Sequence, residues 1–171
     1  SLLVTEAIPR LARLPVNDAG ASSVALTAPV ELPAWLPSRR TLGGYYVLRQ
    51  IGGGNVGTVF VVKRVEERHD GEAERFALKV PEYNATAART MSETEFLKLF
   101  REEAGALLAI PDHRNIARFV TFDAGAKPKP ILVMELIEGV NGERLINTRS
   151  LTMDRALNML DDTLAGLAAM H

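Results

Sequence analysis

The chain has 171 residues, 47% of them hydrophobic, and a formal net charge of −1, which suits a globular domain with a packed core. The basic pairs Arg39-Arg40 and Lys63-Arg64 are too short and scattered to track a phosphate backbone, so no nucleic-acid partner is expected. The absence of cysteine excludes disulfides and thiolate metal sites, His69, His113 and His171 lack ligand spacing, and no apolar run or signal pattern reaches a membrane, so the sequence reads as cytoplasmic, metal-free and without a membrane segment.

Residues 1–40 hold five of the nine prolines (Pro9, Pro15, Pro29, Pro33, Pro37) and show no sustained period, which predicts an arm or linker. Trp35, in LPAWLPS, is the one large anchor there; docking on the following domain and exposure to solvent or a partner both remain open. From Tyr45 the pattern turns to strands: YYVLRQI (45–51), TVFVVKRV (58–65) and RFALKV (75–80), joined by tight turns as an antiparallel meander. Residues 92–110 read as a helix, opened by a Ser92/Glu95 capping box and stopped by Pro111. Two further strands, IARFVTF (116–122) and PILVMEL (130–136), precede a long helix over 152–170. On that helix Leu157, Leu160, Leu164, Leu167 and His171 recur at alternating steps of three and four, making one face apolar.

The pattern G-x-G-x-x-G occurs as Gly52-Gly53-Gly54-Asn55-Val56-Gly57. A dinucleotide fingerprint requires a helix to follow, whereas Thr58-Val59-Phe60-Val61-Val62 favours a strand, and a Walker A loop would close on Gly-Lys-Ser/Thr. What remains is a glycine-rich hairpin, which either brings backbone N–H groups close to phosphate oxygens or serves only as a flexible turn. In RFALKV, alternation sets Phe76, Leu78 and Val80 on one face and Ala77 with Lys79 on the other. A small residue beside an ammonium leaves room for a flat ring and supplies a charge for phosphate, although a solvated strand lysine would look the same in isolation. On the helix, Phe96, Phe100 and Leu107 lie within about 40° of one another and Glu103 falls with them, while Glu102 lies about 100° away. A carboxylate on a buried face needs a partner, and Lys79 is the one the sequence offers. As an exposed pair it would contribute about 0–1 kcal/mol.

These stretches resemble the protein kinases, most closely the bacterial eukaryotic-like serine/threonine kinases. The likeness rests on IGGGNVGTV for the glycine-rich loop, FALKV for the strand with the nucleotide lysine, and FREEAGALL for the helix with its partner glutamate. DHRNIARFV and ILVMELIEG look like the segments leading into strand four and through strand five to the hinge. The resemblance runs from about Tyr45 to His171. It implies an α+β fold: a kinase-like N-lobe of five antiparallel strands with one packed helix over 41–137, then the hinge and a long helix of an incomplete C-lobe over 138–171.

By that resemblance, Ile51, Val59 and Ala77 form the roof over adenine, and Gly52, Gly53, Gly54, Asn55, Val56 and Gly57 cover the phosphates. Lys79 holds the α- and β-phosphates and Glu103 orients Lys79. Met134 matches the gatekeeper, while the Glu135 carbonyl and the Ile137 amide match the adenine-binding hinge; Asn141 and Glu143 are the two ribose candidates. Val56 departs from the aromatic residue usual at the loop tip, and Arg114 from the proline usual after the histidine. The His-Arg-Asp and Asp-Phe-Gly triplets of the family are not among these residues, so the catalytic base and the Mg2+ ligands are expected beyond His171. The implied function is the ATP-binding portion of a serine/threonine kinase; the alternative is a non-catalytic, pseudokinase-type module. The last helix is expected to hide its leucines by self-association, against the N-terminal arm, or against a further segment.

Overall fold

The computed structural model describes residues 32–54 and 57–170, without the side chains of Thr86 and Glu103. Expectations for residues 1–31, for Asn55 and Val56, for the Glu103 side chain and for His171 lie outside the described residues. One antiparallel sheet holds β1 (Thr41–Leu42), β2 (Tyr45–Gly54), β3 (Gly57–Arg64), β4 (Phe76–Val80), β5 (Phe119–Asp123) and β6 (Ile131–Glu135), in the order β1-β2-β3-β4-β6-β5. The sequence predicts five strands; the sixth is β1, whose two residues are too few to show a period and pair with Tyr46 and Tyr45.

Among the described residues four α-helices accompany the sheet, α1 (Ala85–Ala88), α2 (Glu93–Leu108), α3 (Gly142–Asn147) and α4 (Met153–Ala169), with a 3-10 turn at Val65–Glu67. The predicted capping box opens α2: the Ser92 hydroxyl accepts from the Glu95 amide at 3.3 Å, and the Glu95 carboxylate accepts from the Ser92 amide at 2.8 Å. The Ser92 amide and the Ser92 hydroxyl, which donates to the same carboxylate at 2.7 Å, favour its charged form and hold the Glu95 carboxyl below its usual range. α1 and α3 have six residues or fewer, too short for a helical period to stand out in the sequence.

Strand alternation divides the sheet into two faces. On one, Val47, Phe60, Val62, Phe76, Leu78, Val80, Ile131 and Val133 form the main core. Trp35 and Leu36 pack against it, and the Trp35 ring meets Phe60 edge-on at 5.9 Å. The Lys129 ammonium stands 4.9 Å from the Trp35 ring centroid. Docking is therefore the reading the structure selects for Trp35. On the other face, Phe100, Ala104 and Leu107 of α2 cluster with Leu132, Phe119, Phe122 and Met134. The predicted stripe of α2 is thus the face that meets the sheet.

Helix α4 docks elsewhere, and with its small and polar side. The Asn115 side chain, 3% exposed, donates to the Asp162 carbonyl at 2.8 Å and to its carboxylate at 3.1 Å. One turn later a Cβ on Gly166 would stand 3.2 Å from the Asn115 carbonyl oxygen, so the absence of a side chain permits the approach. Leu157, Leu160, Leu164 and Leu167 lie on roughly the opposite side of the helix and remain 47–54% exposed. Among the described residues no helix is long and apolar enough to cross a membrane.

Trp35→Ala removes a half-buried aromatic from the main core and is expected to cost about 2–3 kcal/mol, below the range for a fully buried tryptophan. Urea unfolding followed by circular dichroism measures this; an unchanged midpoint would show that the docked segment contributes nothing to the lobe.

Candidate functional site

The strand register sets the predicted residues side by side. Val59 pairs with Lys79, and Lys79 pairs in turn with Leu132; one step along, Val61 pairs with Ala77 and Ala77 with Met134. Directly opposed residues share a face, so Val59, Ala77, Lys79 and Met134 stand together on the face that α2 partly covers. Gly52, opposite Val59, extends the first row into the glycine loop. Lys79 is 2% exposed and Ala77 7% exposed, which excludes the solvated strand lysine. The exposed-pair estimate therefore does not apply to Lys79.

Phe100, Ala104 and Leu107, which bracket Glu103 on α2, belong to one cluster with Leu132, the cross-strand neighbour of Lys79. Glu102 points away from the sheet, its side chain 60% exposed and 3.9 Å from Lys98. The face of α2 that carries Phe100, Ala104 and Leu107 is therefore the one turned to the sheet, and Glu102 is not on it.

The glycine loop is a hairpin, with Gly52, Gly53 and Gly54 paired to Val59, Thr58 and Gly57. Register shifts fall between Val47 and Arg49 and between Gln50 and Gly52; the second leaves Ile51 unpaired and 44% exposed at the mouth of the face. Gly57 has φ +132°, and a Cβ there would run into the Val80 carbonyl oxygen. That glycine is demanded by the packing of β3 on β4, a reason independent of any phosphate. Gln50 is a residue the sequence reading missed: its side-chain nitrogen donates to the Gly52 carbonyl at 3.2 Å.

At the far side, Glu135 closes β6. Its amide donates to the Arg118 carbonyl at 2.8 Å, and its carboxylate accepts from the Arg118 amide at 3.3 Å. Ile137 is 38% exposed, and the following Glu138 is tied to Arg75 at 2.6 Å, so the segment leaving the sheet is clasped to the start of β4. Of the two ribose candidates, Asn141 caps α3 by accepting from the Arg144 amide at 2.9 Å, whereas Glu143 is an exposed first-turn residue of the same helix. Among the described residues no group of three or more His, Asp or Glu side chains could hold a metal ion.

Known proteins give the arrangement a context. No model of a known protein family matches the chain. It is 30% identical over 129 residues to the serine/threonine-protein kinase pkn2 of Myxococcus xanthus, covering 75% of this chain and 14% of that protein. It is 27% identical over 138 residues to the serine/threonine-protein kinase PrkC of Bacillus subtilis, covering 80% of this chain and 19% of that one. Two crystal structures of the PknI kinase domain of Mycobacterium tuberculosis superpose with TM-scores of 0.61 and 0.60 at 21% and 20% identity. They match 80% of this chain, which spans about half of theirs (51% and 52%).

Gly57→Ala would place a side chain at a strained φ and against the Val80 carbonyl, with an expected cost of about 2–3 kcal/mol. Gly52→Ala is the control, because its Cβ would meet Val59 only at 3.7 Å. Equal unfolding midpoints for the two variants would contradict the packing role of Gly57.

Proposed function

Given that this chain is a homologue of bacterial serine/threonine protein kinases and carries the amino-terminal lobe of that fold, we propose that it binds ATP as the nucleotide-holding part of such a kinase. The observation that carries this reading is Lys79: a lysine 2% exposed, in one cross-strand row with Val59 and Gly52 of the glycine hairpin and beside Ala77 and Met134. A small side chain at Ala77 leaves space for the flat adenine ring between Val59 and Met134, with Ile51 at its edge. The Glu135 carbonyl and the Ile137 amide are the proposed partners of the ring's polar edge.

Backbone amides from Gly52 to Gly57 would face the phosphate oxygens, where no Cβ intervenes. The Lys79 ammonium would neutralise the α- and β-phosphates, and Glu103 would fix the position of that ammonium. In the whole protein the γ-phosphoryl group would pass from Mg-ATP to a protein hydroxyl. The bond from the γ-phosphorus to ADP would break as the bond to the hydroxyl oxygen forms, a reaction helped mostly by positioning and charge stabilisation, and this part would supply some of each.

Lys79→Met tests the reading. ATP affinity of the chain, measured by calorimetry, is expected to fall at least about tenfold, because a charge on the phosphates is lost. The melting temperature should fall, since the proposed Glu103 partner loses its counter-charge, and affinity is therefore measured well below the melt. Unchanged ATP affinity would make Lys79 a structural lysine; in the full-length protein, unchanged phosphoryl transfer would do the same.

We also propose that the leucine face of α4 brings copies of the isolated chain together, since bare apolar faces of this kind are uncommon on soluble proteins. Light scattering should show association that Leu160→Glu with Leu164→Glu abolishes; a concentration-independent monomer would overturn it.

A further inference from the structure

We propose that Gln50 is a positioning residue that splints the glycine loop from the side away from the nucleotide; this rests on the ATP-binding reading above. Three consecutive glycines leave the backbone at 52–54 with more conformational freedom than any other residue type would, and that freedom must be lost whenever the loop closes on phosphate. The structure shows what restrains it. The half-buried Gln50 side chain turns along its own strand and donates from its amide nitrogen to the Gly52 carbonyl at 3.2 Å. The same nitrogen occupies the room left by the missing side chain of the next residue, for a Cβ built on Gly53 would stand 2.8 Å from it.

The register fixes which side of the hairpin this happens on. Gln50 pairs with Phe60 and Gly53 with Thr58, and Phe60 belongs to the main core face of the sheet. Gly52 pairs with Val59, on the opposite face with Lys79 and Ala77. Gln50 therefore reaches the loop from behind and has no line of contact to a nucleotide lying under Val59 and Ala77. The unpaired Ile51 between Gln50 and Gly52 is the point at which the strand would otherwise yield, and the Gln50–Gly52 hydrogen bond spans it. Its effect on binding must then pass through the loop's order, and only the phosphate-dependent part of the affinity should sense it.

The experiment measures ATP and adenosine affinities of the 171-residue chain by calorimetry for the wild type, Gln50→Ala, and Gln50→Ala combined with Gly53→Ala. Gln50→Ala is expected to weaken ATP about threefold to tenfold, the worth of one hydrogen bond, with adenosine affinity unchanged. The double variant should regain most of the loss, because the alanine Cβ takes the vacated space and stiffens the backbone itself. Equal losses for ATP and adenosine, no loss at all, or no recovery in the double variant would each overturn the proposal. If the wild type binds neither ligand, the ATP reading fails first. Amide hydrogen exchange over residues 51–54 then decides on Gln50 alone: faster exchange in Gln50→Ala upholds the splint, and unchanged exchange removes it.

Discussion

A lysine 2% exposed in the middle of a sheet is the constraint around which this lobe is arranged. Taking an ammonium out of water is costly unless charge or hydrogen-bond partners replace the solvent. The surroundings of Lys79 reflect that demand. Its strand neighbours Val59 and Leu132 are apolar and supply packing without charge. The element above the sheet is α2, anchored by Phe100, Ala104 and Leu107 over Leu132 and Met134. The helix is held by apolar contacts, and those contacts decide which of its residues can approach the lysine. Position and charge are thereby separated: the apolar residues set the geometry, and the polar ones act within it.

The opposite face of the sheet makes that arrangement stiff. Phe60, Leu78 and Val133 alternate along their strands with Val59, Lys79 and Leu132, so each strand that presents a site residue on one side buries a core residue on the other. Trp35 covers this core edge-on to Phe60, and its ring is flanked by the Lys129 ammonium. A slip of one residue in β4 would exchange Lys79 for a core side chain, which gives the register its strength. The same coupling makes a residue such as Gln50, on the core side of the hairpin, relevant to a loop whose working surface faces the other way.

Much of this was legible in the sequence because the relevant signals are periodic. Alternation in RFALKV separated Lys79 from Phe76, Leu78 and Val80, and the capping box and Pro111 bracketed α2 to within two residues of its observed ends. Helical angle alone set Phe100 and Leu107 on the stripe that meets the sheet and turned Glu102 away from it. What could not be read has no period. β1 is two residues long, α1 and α3 span a turn or so, and the docking of Trp35 depends on a surface built from five strands. Gly57 answers to a second demand that the motif does not encode: the Val80 carbonyl beside it leaves no room for a side chain, a tertiary contact. Gln50 was passed over because an isolated glutamine before a glycine run carries no pattern of its own.

Helix α4 shows how amphipathicity can mislead about where a helix docks. Periodicity marks the leucine side as the one to bury, yet the contacts to the rest of the described chain come from the other side, through Asp162 and Gly166. The reason lies in the partner. Asn115 is a buried amide that needs acceptors, and Asp162 offers it two, its carbonyl and its carboxylate. Turning the leucine face inward would remove both bonds to Asp162 and put large side chains where Gly166 now lets the Asn115 carbonyl approach. The polar contact thus fixes the rotation of the helix about its own axis, and the apolar face is turned outward as a consequence of satisfying Asn115.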